Sequence, residues 1–323
     1  MQGIIIRGVG GFYYALDAQG QTHQLRAQAK LRRARLKPMV GDQVEFEPGT
    51  EEEDGWLKAI LPRKSQLARP PVSNIDTVLI VIAAAAPEPD LLMADRLLLA
   101  AREQRIEPVI AVNKGDIDPQ TAEAIARQYR GAGADVFSVC ARTGEGIDAL
   151  RVRLRGHVHA VAGQSGAGKS TLLNALYGFG LQTGDVSRKI ERGRHTTRHC
   201  ELIPLEGGGM ALDTPGFSLL ETKLCDPVLL KDGYPEFAPY EGQCRFSPCY
   251  HATEPDCAVR AAVAAGDVDK ERHARYVTLL EEMRIRWRDR YGYSRTVPVG
   301  RGFPRHGGGD RARGRRRGRL SAF

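Results

Sequence analysis

No segment of this chain is long and apolar enough to cross a membrane. The longest apolar run, Val78 to Ala86, falls far short of the roughly 20 residues that a spanning helix needs. The opening residues, MQGIIIRGVGG, lack the charged start, apolar middle and small-residue cleavage site of an export signal, so a cytoplasmic location and no membrane partner are expected. Cysteine is sparse, six in 323 residues, and in that compartment disulfides are not expected. No internal repeat is visible, which argues against an array of stacked units. Acidic residues are nearly missing from the C-terminal end. From Arg284 onward, thirteen Arg face only Asp289 and Asp310, a net of +11, which against the formal total of +8 leaves −3 for everything before it. The Arg/Gly alternation of GRGFPRHGGGDRARGRRRGRL cannot bury a core. Residues 299–323 are therefore expected to form a disordered basic tail that favours polyanions, nucleic acid above all. The plainer reading is a solubilising tail without a fixed partner.

What is present reads as an ordinary soluble chain, 42% hydrophobic and 27% charged, long enough for two or three domains. Residues 1–68 carry short β-branched and aromatic runs at Ile4–Ile6, Phe12–Leu16, Val44–Phe46 and Trp56–Ile60, separated by turn residues. A barrel of about five strands fits, and an OB-like barrel is the commonest such nucleic-acid module. The segment RAQAKLRRARLKP, with Arg26, Lys30, Arg32, Arg33, Arg35 and Lys37 and no acidic residue, reads as a basic loop between two strands that could touch phosphates. Arg69-Pro70-Pro71 reads as a stiff linker. Beyond it, in residues 69–222, all-apolar runs such as Val78–Ile82 and Val109–Val112 alternate with helical spacing over Leu91–Arg105, Thr121–Tyr129 and Ile147–Leu154. That alternation predicts an α/β domain with a parallel sheet covered on both faces.

Gly163-Gln164-Ser165-Gly166-Ala167-Gly168-Lys169-Ser170 satisfies G-x-x-x-x-G-K-[ST] at every fixed position, after a buried run and before the helical stretch that opens at Thr171. Glycines allow backbone N–H groups to close around phosphate oxygens, Lys169 reaches the β- and γ-phosphates, and Ser170 ligates Mg²⁺. Asp213-Thr214-Pro215-Gly216 follows the apolar Met210–Leu212. Beside a phosphate loop, Asp213 is expected to hold Mg²⁺ through water and the Gly216 N–H to sense the γ-phosphate. Asn113-Lys114-Gly115-Asp116 ends another buried run and matches the N-K-x-D element of Ras-like GTPases. A carboxylate at Asp116 can accept from both N1–H and the 2-amino group of guanine. Adenine offers neither, and leaving a buried acceptor unpaired gives strong discrimination. A fifth element is expected in Val139-Cys140-Ala141-Arg142-Thr143-Gly144, where Cys140 stands in place of the customary Ser and Ala141 offers its backbone to the base.

The order of these elements is rotated. Asn113 precedes Gly163, whereas an ordinary GTPase carries the phosphate loop first, so the domain is expected to be circularly permuted. Permutation puts the segment after Gly216 at the end of the domain, where nucleotide-driven movement can pass to whatever follows. There, in residues 223–298, Cys244-x4-Cys249-x-His251-x5-Cys257 supplies three thiolates and one imidazole. Four such ligands suit a closed, tetrahedral and hence structural Zn²⁺, with helices expected over Ala258–Ala265 and Arg272–Trp287.

In combination, the barrel, N-K-G-D ahead of G-Q-S-G-x-G-K-S, R-H-T-T, D-T-P-G-F and the Cys/His cluster followed by A-V-x-A-A-V resemble the circularly permuted, ribosome small-subunit-dependent GTPase A family over about residues 1–290. The resemblance implies a circularly permuted Ras-like P-loop GTPase domain with an N-terminal OB-like β-barrel and a C-terminal α-helical zinc-binding domain. It also implies hydrolysis of GTP to GDP stimulated by the 30S subunit, contact with 16S rRNA late in subunit maturation, and release of other assembly factors; a monomer is expected. The family's switch I falls on Gly193–Thr197, where Thr197, chosen over Thr196, would ligate Mg²⁺ in the GTP state. Phe217 stands where Ras-like enzymes carry the water-positioning Gln. An apolar side chain cannot orient water, so His195 becomes the candidate catalytic group, brought in when the ribosome orders the segment; a solvated loop residue is its plainer reading. Two rival functions stay open: an RNA-binding switch whose hydrolysis is incidental, and an ATPase acting on other RNA, against which Asp116 argues.

Overall fold

The computed structural model describes residues 1–33, 36–50, 53–67, 71–180, 200–213 and 223–292. The first unit consists of β1 (Gln2–Val9), β2 (Phe12–Asp17), β3 (Thr22–Ala27), the short helix α1 (Ala29–Arg33), β4 (Gln43–Glu47) and β5 (Gly55–Ile60). Antiparallel pairs β1–β2, β2–β3 and β4–β5, a parallel β3–β5 pair and the closing antiparallel β1–β4 pair make a five-stranded barrel without a free edge. Alternation along the strands turns Ile5, Ala15, Leu25, Val44, Phe46 and Leu57 inward, and Leu31 of α1 plugs one end. Of the basic run expected to be a loop, Arg26 and Ala27 end β3 and Ala29–Arg33 form α1, while residues 36–38 lie in neither helix nor strand. The run's first cation, Arg26, is already paired at 2.7 Å with Asp54. Strand β3 carries Thr22, Gln24 and Arg26 on its outward positions and the polar His23 on an inward one, so only Leu25 and Ala27 supply apolar signal, and polar residues hide the strand in the sequence.

Arg69 and Pro70 of the expected linker lie outside the described residues, but its flanks are built into the barrel's rim. Strands β6 (Gln66–Leu67) and β7 (Val72–Ser73) pair with each other, and Asp42, fully buried, accepts from Arg63 Nε at 2.6 Å, Ser73 Oγ at 2.6 Å and the Met39 N–H at 2.8 Å. A buried carboxylate held by three residues fixes the chain on entry to the next unit.

That unit runs β8 (Thr77–Ala83), α2 (Leu91–Glu103), β9 (Glu107–Asn113), α3 (Pro119–Gln128), β10 (Asp135–Val139), α4 (Ile147–Leu154), β11 (Val158–Ala162), α5 (Lys169–Tyr177), β12 (Glu201–Pro204) and β13 (Met210–Asp213). Its strands lie in the order β10-β9-β8-β11-β13-β12, all parallel except β12. Every residue of β8 is buried. Val78, Ile80 and Ile82 face α2 and α3, while Leu79 and Val81 face α4 and α5, as a strand covered on both sides requires. From β8 the chain winds outward to β10, then returns across the sheet to β11. The C-terminal ends of β8 and β11 thus flank a topological switch point, the crevice in which open α/β sheets bind ligands. At the opposite edge β12 pairs with β1 of the barrel, Arg7 opposite Glu201, so barrel and sheet are continuous.

Residues 223–292 form two 3₁₀ segments (Pro227–Gly233 and Pro235–Tyr240), α6 (Ala258–Ala265) and α7 (Lys270–Tyr291). Tyr234, Phe237, Val259, Tyr276 and Leu280 make its core, which includes Leu99 of α2. Asp95 of α2, fully buried, accepts from Arg275 Nε at 2.6 Å and also from Arg272, which further pairs with Glu236 and lies over the Tyr129 and Tyr234 rings. Described contacts of the C-terminal unit run to α2 and to Gln128 and Tyr129 at the end of α3. The Lys223 N–H donates to Glu103 of α2 at 2.9 Å. Burial raises the Glu103 carboxyl to about 7.

Candidate nucleotide and metal sites

The phosphate loop leaves β11 at Gly163 and reaches α5 at Gly168. A side chain at Gly163 would sit 2.2 Å from the Val81 carbonyl, and one at Gly168 would sit 2.5 Å from Asn113 Nδ2. Both glycines have positive φ, so neighbouring backbone and Asn113 approach where only hydrogen fits. Lys169 Nζ donates to the carbonyls of Gly163 (2.8 Å) and Gln164 (2.7 Å), folded back over the loop it serves. Burial lowers its pKa. Ser170 and Thr171 follow in the first turn of α5, whose unpaired N–H groups favour an anion.

Asn113 is the hub. Nearly fully buried at the end of β9, it donates from Nδ2 to the Ala167 carbonyl at 3.0 Å and accepts at Oδ1 from the Ala141 N–H at 3.1 Å. One amide thus ties N-K-x-D, the phosphate loop and the Cys140-Ala141 element into a single site. The Ala141 N–H, expected to face a base, is engaged by Asn113. Lys114 spans the loop, its Nζ donating to the carbonyls of Gly166 (2.8 Å) and Ala86. Asp116 accepts from Arg142 at 2.6 Å, and this guanidinium, with a contribution from Cys140, holds the carboxyl below its ordinary range, against partial burial. Cys140 itself is buried.

A second belt escaped the sequence reading. Gln164 Oε1 accepts from the Asp90 N–H at 2.7 Å and Gln164 Nε2 donates to the Glu88 carbonyl at 2.8 Å. The loop after β8 is thereby fastened to the phosphate loop. Asp90 also caps α2 by accepting from the Met93 N–H. The only legible signal was an Asp just before an apolar helical run.

Asp213 ends β13 beside β11, and its side chain lies outside the described residues. His195, Thr196, Thr197, Gly216, Phe217 and the tail 299–323 also lie outside them.

Cys244, Cys249, His251 and Cys257 converge, their donor atoms all within 4.8 Å of one another. Cys244 Sγ is 3.8 Å from Cys257 Sγ, and His251 Nδ1 is 3.5 Å and 3.3 Å from these two sulfurs. An ion bonded to sulfur at roughly 2.3 Å and nitrogen at roughly 2.0 Å in a tetrahedron separates its sulfurs by roughly 3.8 Å and sulfur from nitrogen by roughly 3.5 Å. Cys244, His251 and Cys257 have that spacing, and Cys249 lies within 4.8 Å of them. Burial lowers the His251 imidazole to about 4, leaving it neutral and able to ligate. At Cys244 burial opposes ionisation but is outweighed, first by the Ala258 N–H at the start of α6, 3.4 Å from Sγ, and the thiol falls below its ordinary range.

Comparison with known proteins gives a consistent result. The family profile described as RsgA GTPase matches residues 60–223, and that described as RsgA N-terminal domain matches residues 2–57. A Caldanaerobacter subterraneus subsp. tengcongensis protein named Small ribosomal subunit biogenesis GTPase RsgA is 41% identical over 293 residues, 90% of this chain and 98% of that protein. A Geobacillus kaustophilus protein of the same name is 42% identical over 290 residues, 88% of this chain and 98% of its own. Among solved structures, YjeQ from Thermotoga maritima superposes with a TM-score of 0.76 at 32% identity, covering 87% of this chain and 98% of that one. YloQ, titled a circularly permuted GTPase, gives 0.73 at 32% identity, covering 88% and 95%.

Proposed function

The chain belongs to the RsgA GTPase family, GTP-hydrolysing enzymes of small ribosomal subunit biogenesis, and from that membership we propose how its own residues carry out the work. The supporting observation is the Asn113 hub, because it joins the base-recognition, phosphate and fifth elements through one buried amide. Asp116 reads the N1–H and 2-amino group of guanine, and Arg142 keeps it ionised until the base arrives. Asn113, Lys114, Cys140 and Ala141 wall the base site. The backbone from Gly163 through Ala167 to Thr171 wraps the phosphates, and Lys169 stabilises charge on the β- and γ-phosphates. Ser170, Asp213 and, with GTP bound, Thr197 would hold Mg²⁺, which would supply positive charge to offset that of the phosphates. Gly216 senses the γ-phosphate, and His195 positions the attacking water. Zn²⁺ is the ion best suited to Cys244, Cys249, His251 and Cys257, where it would tie the loop before α6 to the C-terminal core. The 30S subunit and its 16S rRNA are the partner, met in the cytoplasm by a monomer through the barrel and the basic tail.

One assay tests the catalytic reading: GTP turnover with and without purified 30S subunits, for the unmutated chain and for His195→Ala. Stimulation by the subunit is expected, and His195→Ala should lose about 10²-fold of the stimulated rate while basal turnover and nucleotide affinity stay nearly constant. Stimulated turnover within about threefold of the unmutated chain would pass the water-positioning role to the ribosome or another residue. ATP competing as well as GTP would sink the Asp116 assignment.

For the metal, Cys249→Ala leaves three donors and an open position. Stoichiometric zinc should be lost on purification and hydrogen exchange over α6 should quicken, with GTP binding retained. An unmutated protein that carries no zinc would refute the assignment.

A further inference from the structure

Along β5 the side chains of Trp56 and Lys58 share the barrel's outer face. Trp56 is 44% exposed, a large indole left facing solvent. It lies in an open groove of about 510 Å³ lined by Gln28, Ala29, Lys30, Trp56 and Lys58. Cross-strand pairing sets Trp56 beside Arg26, and Arg26 beside Phe12, whose ring lies 4.8 Å under the guanidinium. The outer face thus carries a row of aromatic, arginine and aromatic side chains next to a run from Arg26 to Lys37 with six cations and no acid. The acidic neighbours, Asp54 and Glu47, are paired with Arg26 and Lys58, both at 2.7 Å.

A lone exposed aromatic is common and needs no explanation. An indole in a groove between two lysines is different, because the ring offers a stacking face and the ammonium groups meet the phosphates on either side. We propose that the Trp56 groove is a binding site for an unpaired RNA base, stacked on the indole with Lys30 and Lys58 on the flanking phosphates. The site rests on the reading of the barrel as an RNA-binding unit and narrows it to single-stranded rRNA. A duplex keeps its bases stacked on each other, out of reach of one ring.

The test uses the full-length chain. Of its two tryptophans, Trp287 is changed to Phe, so that fluorescence reports Trp56 alone. The probes are a short unstructured RNA oligonucleotide and an RNA hairpin of equal length. Saturable quenching by the single strand and little by the hairpin are expected. Trp56→Ala should weaken single-strand binding by about 5- to 100-fold, and Trp56→Phe should recover most of it. Unchanged affinity in Trp56→Ala, with 30S cosedimentation intact, would overturn the site and leave the RNA-binding reading standing. An unmutated chain that bound neither the oligonucleotide nor 30S subunits would defeat that reading and the site with it. Loss of 30S binding in Trp56→Ala without any change toward the oligonucleotide would make the groove a protein contact and also overturn the proposal.

Discussion

Replacing Lys169 by alanine will lower kcat/KM for GTP by about 10²- to 10³-fold, the usual cost of losing one charged donor aimed at the transition state. The Lys169 Nζ is held by carbonyls of its own loop at Gly163 and Gln164, so the loop presents the ammonium where phosphate oxygens would lie. Partial burial makes its charge more effective than it would be in water. Lys114 cannot substitute, because its Nζ is tied to Gly166 and Ala86. Lys169→Arg should recover little, since a planar fork does not fit a cradle closed around a point charge. Steady-state turnover together with binding of a fluorescent GTP analogue separates the catalytic loss from the affinity loss. Turnover within threefold of the unmutated enzyme would mean that these backbone N–H groups carry the phosphate chemistry alone.

The largest effect on stability is expected at Asp95. Its carboxylate is fully buried between α2 and α7 and receives both Arg272 and Arg275. Asp95→Ala leaves Arg272, itself buried, with Glu236 as its remaining carboxylate, while Arg102 lies nearby as a further cation. Removing one partner from a buried ion cluster costs about 3–5 kcal/mol, because the remaining charges keep their desolvation penalty. The expected result is early melting of the C-terminal unit and rapid hydrogen exchange along α7. Exchange in α4 and α5, on the far face of the sheet, should change little. A double change that removes charge on both sides, Asp95→Leu with Arg272→Met, should restore part of the loss, which separates an uncompensated charge from lost packing. An α7 as well protected in Asp95→Ala as in the unmutated chain would show that the apolar contacts around Leu99 hold the units together unaided.

This clamp adds a path between nucleotide and C-terminal unit. Rotation of the motif order suggested that the segment after Gly216 would hand movement on, and that segment lies outside the described residues. A described set of contacts runs through α2. That helix is held to the phosphate loop at its N-terminus by Gln164 and to α7 by Asp95.

The sequence by itself determined the motifs whose members lie within a few residues of one another. The phosphate loop, N-K-x-D and the Cys/His cluster could be read because their chemistry demands fixed residue types at fixed short spacings. The all-apolar runs marked the central strands, since burial on both faces leaves no polar position. Rotated motif order is a statement about sequence alone, and the family comparison agrees with it. Strand β3 was not legible, because one polar outer face nearly cancels its apolar signal. Nor was the role of Arg63-Ser65 and Val72-Asn74 in closing the barrel's rim, since Arg69-Pro70-Pro71 resembles a spacer whatever its flanks do. Only the tertiary structure decided that Asn113 joins three motifs, that Gln164 fastens the loop after β8, and that Asp95 collects two arginines from almost 180 positions away. Such contacts depend on which surfaces the sheet brings together, and a buried polar group takes whichever donor the fold delivers to it. No local pattern encodes a partner that distant in the chain.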